Sequence, residues 1–543
     1  MSKFLRFFRP SHQHSAYSAT LLLMGTVMLS RVIGYVREAY IAYDFGAGMQ
    51  TDAYVAAFTL PDWLNYIVAG GAASITFISI YTRFLAEKRD ADANKTFSVI
   101  ITVMSAVVMA GTVVAEIFTP QFVRWMFAGF SPAQIDLTVH LTRILLPAQI
   151  FFYVGGVVSA VLLSHRLFLF PALGPLLYNL FIIFGGVLGG RHFGIAALAY
   201  GALAGSLLGP FLASVIGAAR IGTGYKPSFD ISNPAFREWM RLSIPLMLGF
   251  SLVTVDDWIL RHYAASGVGD IARLNYAKRL FAVPIAVLGQ ATGQASLPFF
   301  ARLFNEKRFQ EFAATVNDSV SRVAAASFLA AAWMMAAAFP LIDLVYRRGR
   351  FLVSDTRTTA VYFFWFSLSL ALWSAQALYA RAFYAAGDTM TPMIAVTAIT
   401  AASLPVYSFL FRHFGVVGLA YASDLGIAAN LLALAVLLHY RKMVSLRTLR
   451  WDELGKSAVT ALVAGGISLE TARNIPLPTF GRASRIPDLL HLTFVTLTWA
   501  AATAVGLWLL KSQLPNDLRR KQIAYPAVAQ NEAKEILGAG TQP

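Results

Sequence analysis

Apolar runs about 20 residues long, the length a helix needs to cross a hydrocarbon core about 30 Å thick, recur along the whole chain. They predict about fourteen spans, near 17–40, 53–84, 97–118, 137–163, 171–188, 195–219, 240–263, 272–300, 312–342, 358–383, 391–411, 416–438, 457–469 and 489–510, the thirteenth being the shortest. The runs are continuous rather than alternating with period two. In lipid only helices and closed barrels satisfy their own backbone polar groups, so the pattern predicts an all-α polytopic membrane protein. The first run is too long for a cleavable leader, lacks an Ala-x-Ala-like site and carries Arg31 and Arg37 in its later half, so it is expected to stay in the mature protein.

Composition agrees with this reading. Of 543 residues 57% are hydrophobic and only 13% charged, about half the charged share of a typical soluble domain. Lys and Arg number 44 against 28 Asp and Glu, a net charge of +16. The excess is a topology signal rather than a nucleic-acid footprint, because it gathers at alternate span ends: Lys3, Arg6 and Arg9, then Arg83, Lys88, Arg89 and Lys95, then Arg166, and finally Arg519, Arg520 and Lys521. The positive-inside rule puts both termini in the cytoplasm and requires an even number of spans. Arg347, Arg348 and Arg350 fall outside and read as a loop anchor. With no cysteine there is no disulfide, thiolate nucleophile or Cys-ligated metal.

A repeat is written into the chain. Arg83 to Arg89 closes the second span much as Arg302 to Arg308 closes the eighth, 219 residues later, and Pro171 and Pro392 open the fifth and eleventh spans 221 residues apart. The expected organisation is two six-helix lobes in parallel repeat, 1–222 and 223–445, then two extra helices in 446–512 and a cytoplasmic tail, 513–543. An even number of spans per copy gives both copies the same orientation, and transporters so built place substrate at the repeat interface near the midplane.

Ionisable side chains inside the spans are functional candidates, since each costs about 2.5 kcal/mol or more at the bilayer centre unless it faces a partner or a wet cavity. The first span holds Arg31, Arg37 and Glu38, the second begins at Asp52, the seventh holds Asp256 and Asp257, and the eighth holds Lys278 and Arg279. Together they predict a hollow with cationic walls drawn from both repeats. A guanidinium stays charged when buried and offers a planar fork to phosphate oxygens, so the implied ligand is a membrane-borne anion. The blander alternative pairs Arg31 with Asp52, and Arg279 with Asp256 or Asp257, as structural salt bridges. Asp62, where the second span breaks, reads as a helix cap, and Gly70-Gly71 and Gly185-Gly186 as sites of close helix packing.

Several of these segments, in order, resemble a known family. Ser30 to Ala39, Phe45 to Ala53, and Ala57 to Asp62 resemble the N-terminal signature of the MurJ (MviN) lipid II flippases, within the multidrug/oligosaccharidyl-lipid/polysaccharide exporter superfamily. Tyr276 to Leu280, Arg348 to Phe351, and Arg381 to Thr389 with Thr391-Pro392 continue the likeness to about Arg441. The resemblance implies two six-helix lobes plus two C-terminal helices whose groove takes an undecaprenyl tail. It places the family's cavity arginines on Arg31, Arg37 and Arg279 and their acidic partner on Asp52. A further family arginine and acid are replaced by Asn65 and Gly70, and the region from Arg447 to Ile486 departs from the usual helix pair.

The expected activity is flipping of the peptidoglycan precursor lipid II to the outer leaflet of the bacterial cytoplasmic membrane by alternating access. Arg31, Arg37, Arg279, Lys278 and Asn65 would bind the pyrophosphate, with Asp52 and Glu38 holding the guanidiniums. The expected partners are lipid II, membrane lipids and cell-wall synthesis proteins. No cofactor is expected. Coupling to sodium or to the membrane potential stays open: a sodium site of the kind seen in relatives would use Asp256 or Asp257, and the eleventh span offers it only Thr400 and Ser403. The competing readings are export of another undecaprenyl-linked saccharide, export of a drug cation, a glycosyl- or phosphotransferase with magnesium on Asp256-Asp257, and a non-transporting scaffold of the cell-wall machinery.

Overall fold

The computed structural model describes residues 16–69, 72–165, 167–248, 252–474 and 486–519. The expectations attached to Lys3, Arg6, Arg9, Gly70-Gly71, Arg166, Arg520 and Lys521 lie outside these residues. The described chain is all-helical, from Ala16–Phe45 to Leu514–Arg519, with no strand among the described residues. Eight of the described helices are long and apolar enough to cross a membrane, or nine if Val353–Leu368 and Leu370–Ala385, bent by 43°, form one span.

Local chemistry explains where the helices start and stop. Ser131 and Gln134 cap Pro132–Leu145 reciprocally, side chain to backbone at 3.3 and 3.1 Å, with Pro132 in the first turn. The 51-residue stretch Met390–Tyr440 is two helices meeting at Gly415, whose φ of 61° and ψ of −145° are not helical. Gly194, which ends Leu169–Phe193, has nearly the same conformation, φ 55° and ψ −138°. Only glycine adopts such a backbone without strain. The two glycines are 221 residues apart, the spacing of the paired prolines. Lys88 and Lys307 likewise both end a helix in the left-handed region, at φ 57° and 59°. The next amide after each closes the same turn: Arg89 N–H on the Phe84 carbonyl, Arg308 N–H on that of Leu303. The sequence repeat is thus also a repeat of turn geometry.

By compactness the chain falls into two units. The first comprises Met1–Leu280, Ile342–Phe363 and Met393–Gly426. In it the opening helix, Ala16–Phe45, packs on Leu169–Phe193, which packs in turn on Ala196–Ser206. Glycine permits both approaches: a Cβ on Gly186 would lie 2.6 Å from the Tyr40 ring of the opening helix, and one on Gly201 would lie 2.4 Å from the Phe181 carbonyl oxygen. An aromatic core around Phe77, Tyr81, Phe97 and the fully buried Trp239 closes the end of the unit that carries the basic residues Arg83 to Lys95.

The second unit comprises Phe281–Leu341, Phe364–Pro392 and Ile427–Pro543. Its Phe309–Ala336 helix packs on Trp451–Asn474, which packs on Ile486–Leu509. The sequence predicts a short thirteenth span, 457–469, but the helix runs for 24 residues. Its apolar middle is flanked by helical turns bearing Asp452, Glu453, Glu470 and Arg473, which hydropathy alone reads as loop.

Candidate functional site: an ion-paired hollow in the first unit

Six helical segments bring polar or ionisable residues of the first unit together. Arg37 lies in the second half of Ala16–Phe45, and its two terminal nitrogens are both engaged, one on Asn179 Oδ1 at 2.8 Å and one on Glu38. Glu38 is buried, and it accepts from Arg37, lies within 3.5 Å of the Asn275 amide, and sits 3.7 Å from Arg279 Nε. One carboxylate from the first helix therefore gathers guanidiniums from two helices. Arg279 differs from Arg37: its side chain is half open, at 51%, and donates no hydrogen bond to a described residue. Its backbone carbonyl accepts from the Tyr35 hydroxyl at 3.3 Å. Arg31, one turn before Tyr35, is exposed and has no ion pair among the described residues. Both Arg31 and Arg279 are near enough to act electrostatically on Tyr35.

A second group surrounds Lys278. Its ammonium lies 2.5 Å from Asp256 and also contacts Asp257. Tyr407, on Met390–Tyr440, donates its hydroxyl to the other oxygen of Asp256. Asp256 is buried, whereas two-fifths of the Asp257 side chain is open. In a third pair Arg261 lies 3.4 Å from Asp62, whose side chain is 43% open. Charged groups do not face acyl chains, so the open sides of Asp62, Asp257 and Arg279 are expected to meet water, which makes this group the candidate for the hydrated hollow.

Four expectations change. The walls are not simply cationic: Arg37, Arg261, Lys278 and Arg279 face Glu38, Asp62, Asp256 and Asp257, and of the predicted cations Arg31 has no acidic partner among the described residues. Asp52 does not hold a guanidinium. It is fully buried and accepts the backbone N–H groups of Gly269 and Ala272, at 2.9 Å for the latter, so it caps Asp270–Pro284, the helix that carries Lys278 and Arg279. Asp62 pairs with Arg261 rather than capping a helix, and Arg279 turns to Glu38 and leaves Asp256 and Asp257 to Lys278. The geometry brings Arg37, Glu38 and Arg279 together, leaves Arg31 exposed one turn from Tyr35, and keeps Lys278, Asp256 and Asp257 as a separate cluster. Asn65 is exposed, one turn along the helix from Asp62.

For metal chemistry the arrangement is poor. Lys278 stands where an ion on Asp256 and Asp257 would sit, Thr400 and Ser403 donate to carbonyls of their own helix, and no group of three or more His, Cys, Asp or Glu able to hold a metal is gathered among the described residues. Sequence reading overlooked Asn179 and Tyr407, whereas Arg261 follows Asp256 and Asp257 among the charged residues of the seventh span. The available signal was weak: a single amide or hydroxyl in or beside an apolar run.

Fold and hollow define a multi-pass α-helical membrane protein of transporter architecture, and known structures agree. A solved lipid II flippase MurJ in an inward closed conformation superposes with a TM-score of 0.74 over 90% of this chain and 99% of its own, at 21% identity. An inward-facing multidrug resistance MATE family transporter of the MOP superfamily superposes with a TM-score of 0.62 over 79% of the chain, at 14% identity. The family model for lipid II flippase MurJ matches residues 41–476, and the chain belongs to that family. A probable lipid II flippase MurJ of Rhizobium tropici is 27% identical over 95% of this chain and 98% of its own length. The lipid II flippase MurJ of Burkholderia cenocepacia is 28% identical over 78% and 84%.

Proposed function

We propose that this chain flips lipid II, the undecaprenyl-pyrophosphoryl disaccharide-pentapeptide, across the bacterial cytoplasmic membrane, with both termini in the cytoplasm and no bond made or broken. The observation that carries the reading is Glu38. Arg37 and Asn275 already neutralise and hydrogen-bond it, so Arg279 can leave it without stranding a buried carboxylate. Arg279 and Arg31 are then two cations with unengaged forks beside one hollow, which suits a pyrophosphate presenting several oxygens. Arg37 positions Glu38 rather than touching the ligand, and Asp52 positions the Arg279 helix. Asn65 is open to contact the head group.

Alternating access follows from competition. While the hollow is empty Arg279 rests on Glu38; an arriving pyrophosphate draws it away and changes which contacts favour each state, and a ligand shifts a conformational equilibrium only by such differential contacts. The polar head group crosses inside the protein while the tail stays in lipid. Lys278, held by two aspartates, supplies the counter-charge that an external sodium ion would otherwise supply, which favours the membrane potential over sodium as the driving force.

The test is complementation of a bacterial strain depleted of its lipid II flippase. Arg279→Ala should insert and accumulate normally yet fail to rescue growth. Rescue equal to the unsubstituted chain would overturn the reading and favour a scaffold.

A further inference from the structure

Arg261 belongs to no role described so far. It lies near the end of Leu252–Ala264 with its side chain 14% open. Its Nη1 donates to the Thr59 hydroxyl at 3.1 Å and to Asp62 Oδ2 at 3.4 Å, while Nε and Nη2 reach no described residue. Another largely buried guanidinium of this unit looks different. Arg273 places Nε and Nη2 on Asp355 at 3.1 and 2.9 Å and Nη1 on Asp270 and the Val268 carbonyl, both at 3.1 Å, so every nitrogen is engaged. That is the form a structural ion pair takes, because burial of two charges is tolerated only when their remaining donors and acceptors are satisfied. The Arg261–Asp62 pair is long, single-pronged and open on the carboxylate side.

We propose that Arg261 is a substrate-contacting residue that takes an oxyanion of the lipid-linked head group, and that Asp62 is the internal anion on which it waits. The assignment rests on the flippase reading and extends the same hollow from the Glu38 group to a second subsite. The unengaged Nε and Nη2 edge of a guanidinium matches two oxygens of one phosphate or carboxylate. Asn65 is exposed one turn from Asp62 on the same helix face. The oxyanion can come from the pyrophosphate or from a carboxylate of the pentapeptide, and both offer the same planar or near-planar pair of acceptors.

The experiment measures binding of undecaprenyl-pyrophosphoryl disaccharide, with and without its pentapeptide, to the full chain in lipid nanodiscs. Arg261→Gln should weaken binding on the order of tenfold, the worth of a charge-assisted contact, while Asp62→Asn, which removes the competitor, should leave binding equal or tighter. A loss that persists without the peptide assigns the pyrophosphate, and a loss that disappears with the peptide assigns a carboxylate. If the pair were only structural, both substitutions would weaken binding together and lower the melting temperature alike, and that result overturns the proposal. If Arg261→Gln does not fold, Arg261→Lys keeps the charge and lacks the fork: a loss of several-fold supports the proposal and unchanged affinity overturns it. Binding by the unsubstituted chain that Arg261→Gln leaves untouched defeats this assignment alone, whereas no binding by the unsubstituted chain defeats the flippase reading with it.

Discussion

The middle of the first unit and the helix trio of the second are built on opposite terms. In the first, Glu38, Asp256, Arg37 and Lys278 sit well inside apolar helices and are held by one another. In the second, Phe309–Ala336, Trp451–Asn474 and Ile486–Leu509 meet through Ala325, Ala332, Ala461 and Ala464. A Cβ on Gly465 would lie 3.1 Å from that of Ala332. The polar atoms in mid-helix there are modest: the indole of Trp333 donates to Thr496 Oγ1 at 3.0 Å, and that of Trp499 to the Leu329 carbonyl at 3.0 Å. Its ion pairs gather in the N-terminal half of Phe309–Ala336 and at the neighbouring helix ends, where Asp318 meets Arg322 at 2.5 Å, Arg450 meets Asp517 at 2.5 Å and Asp318 at 3.3 Å, and Glu453 accepts from Ser512 and the Gln513 amide. Charge at an end ties helices where water reaches them. Charge in the middle is a standing cost that small-residue packing avoids, and a protein keeps it where a ligand needs it.

The contrast can be broken by substitution. Glu38→Ala should do most damage, because it strands the nearly buried Arg37, and an uncompensated buried charge costs about 3–5 kcal/mol. Thermal unfolding in detergent should show the loss, with no rescue of growth. Arg450→Ala in the second unit should cost about 1–2 kcal/mol in the same assay, since Asp318 can turn to water and only Asp517 is left nearly buried. Equal losses would erase the distinction. Smallest is the Arg83–Glu238 pair at a helix end of the first unit, 2.6 Å apart and about two-fifths open. The hydrogen bond from Arg83 outweighs burial and holds the Glu238 carboxyl below its ordinary range. A depressed folded value means the stabilisation is present above the unfolded value of about 4.3 and is lost as pH falls through the folded one. The unsubstituted chain should therefore exceed Glu238→Gln by under about 1 kcal/mol near neutral pH. The gap should close at pH 3 and shrink in 1 M salt.

Most of the helical plan was legible because length and apolarity are sufficient signals in lipid, and the repeat was legible because its turns reuse the same basic and proline residues. Arg31, Arg37, Glu38 and Arg279 stood out for the same reason: charge inside a span is expensive enough to need an explanation. The pairings were not legible. Whether Arg279 turns to Glu38 or to Asp257 depends on rotations between helices that no spacing records, and Asp62 gives the same sequence signal as cap or counter-ion. Nor did hydropathy find the full Trp451–Asn474 helix, whose ends are polar.

Asp52 has a consequence for the order of assembly. It accepts the Gly269 amide across 217 residues of sequence, so the acceptor leaves the ribosome long before the donors do. When the segment bearing Lys278 and Arg279 is threaded into the bilayer, the anchor for its leading end is already in place, and two strongly hydrated cations need never search for a berth in lipid alone.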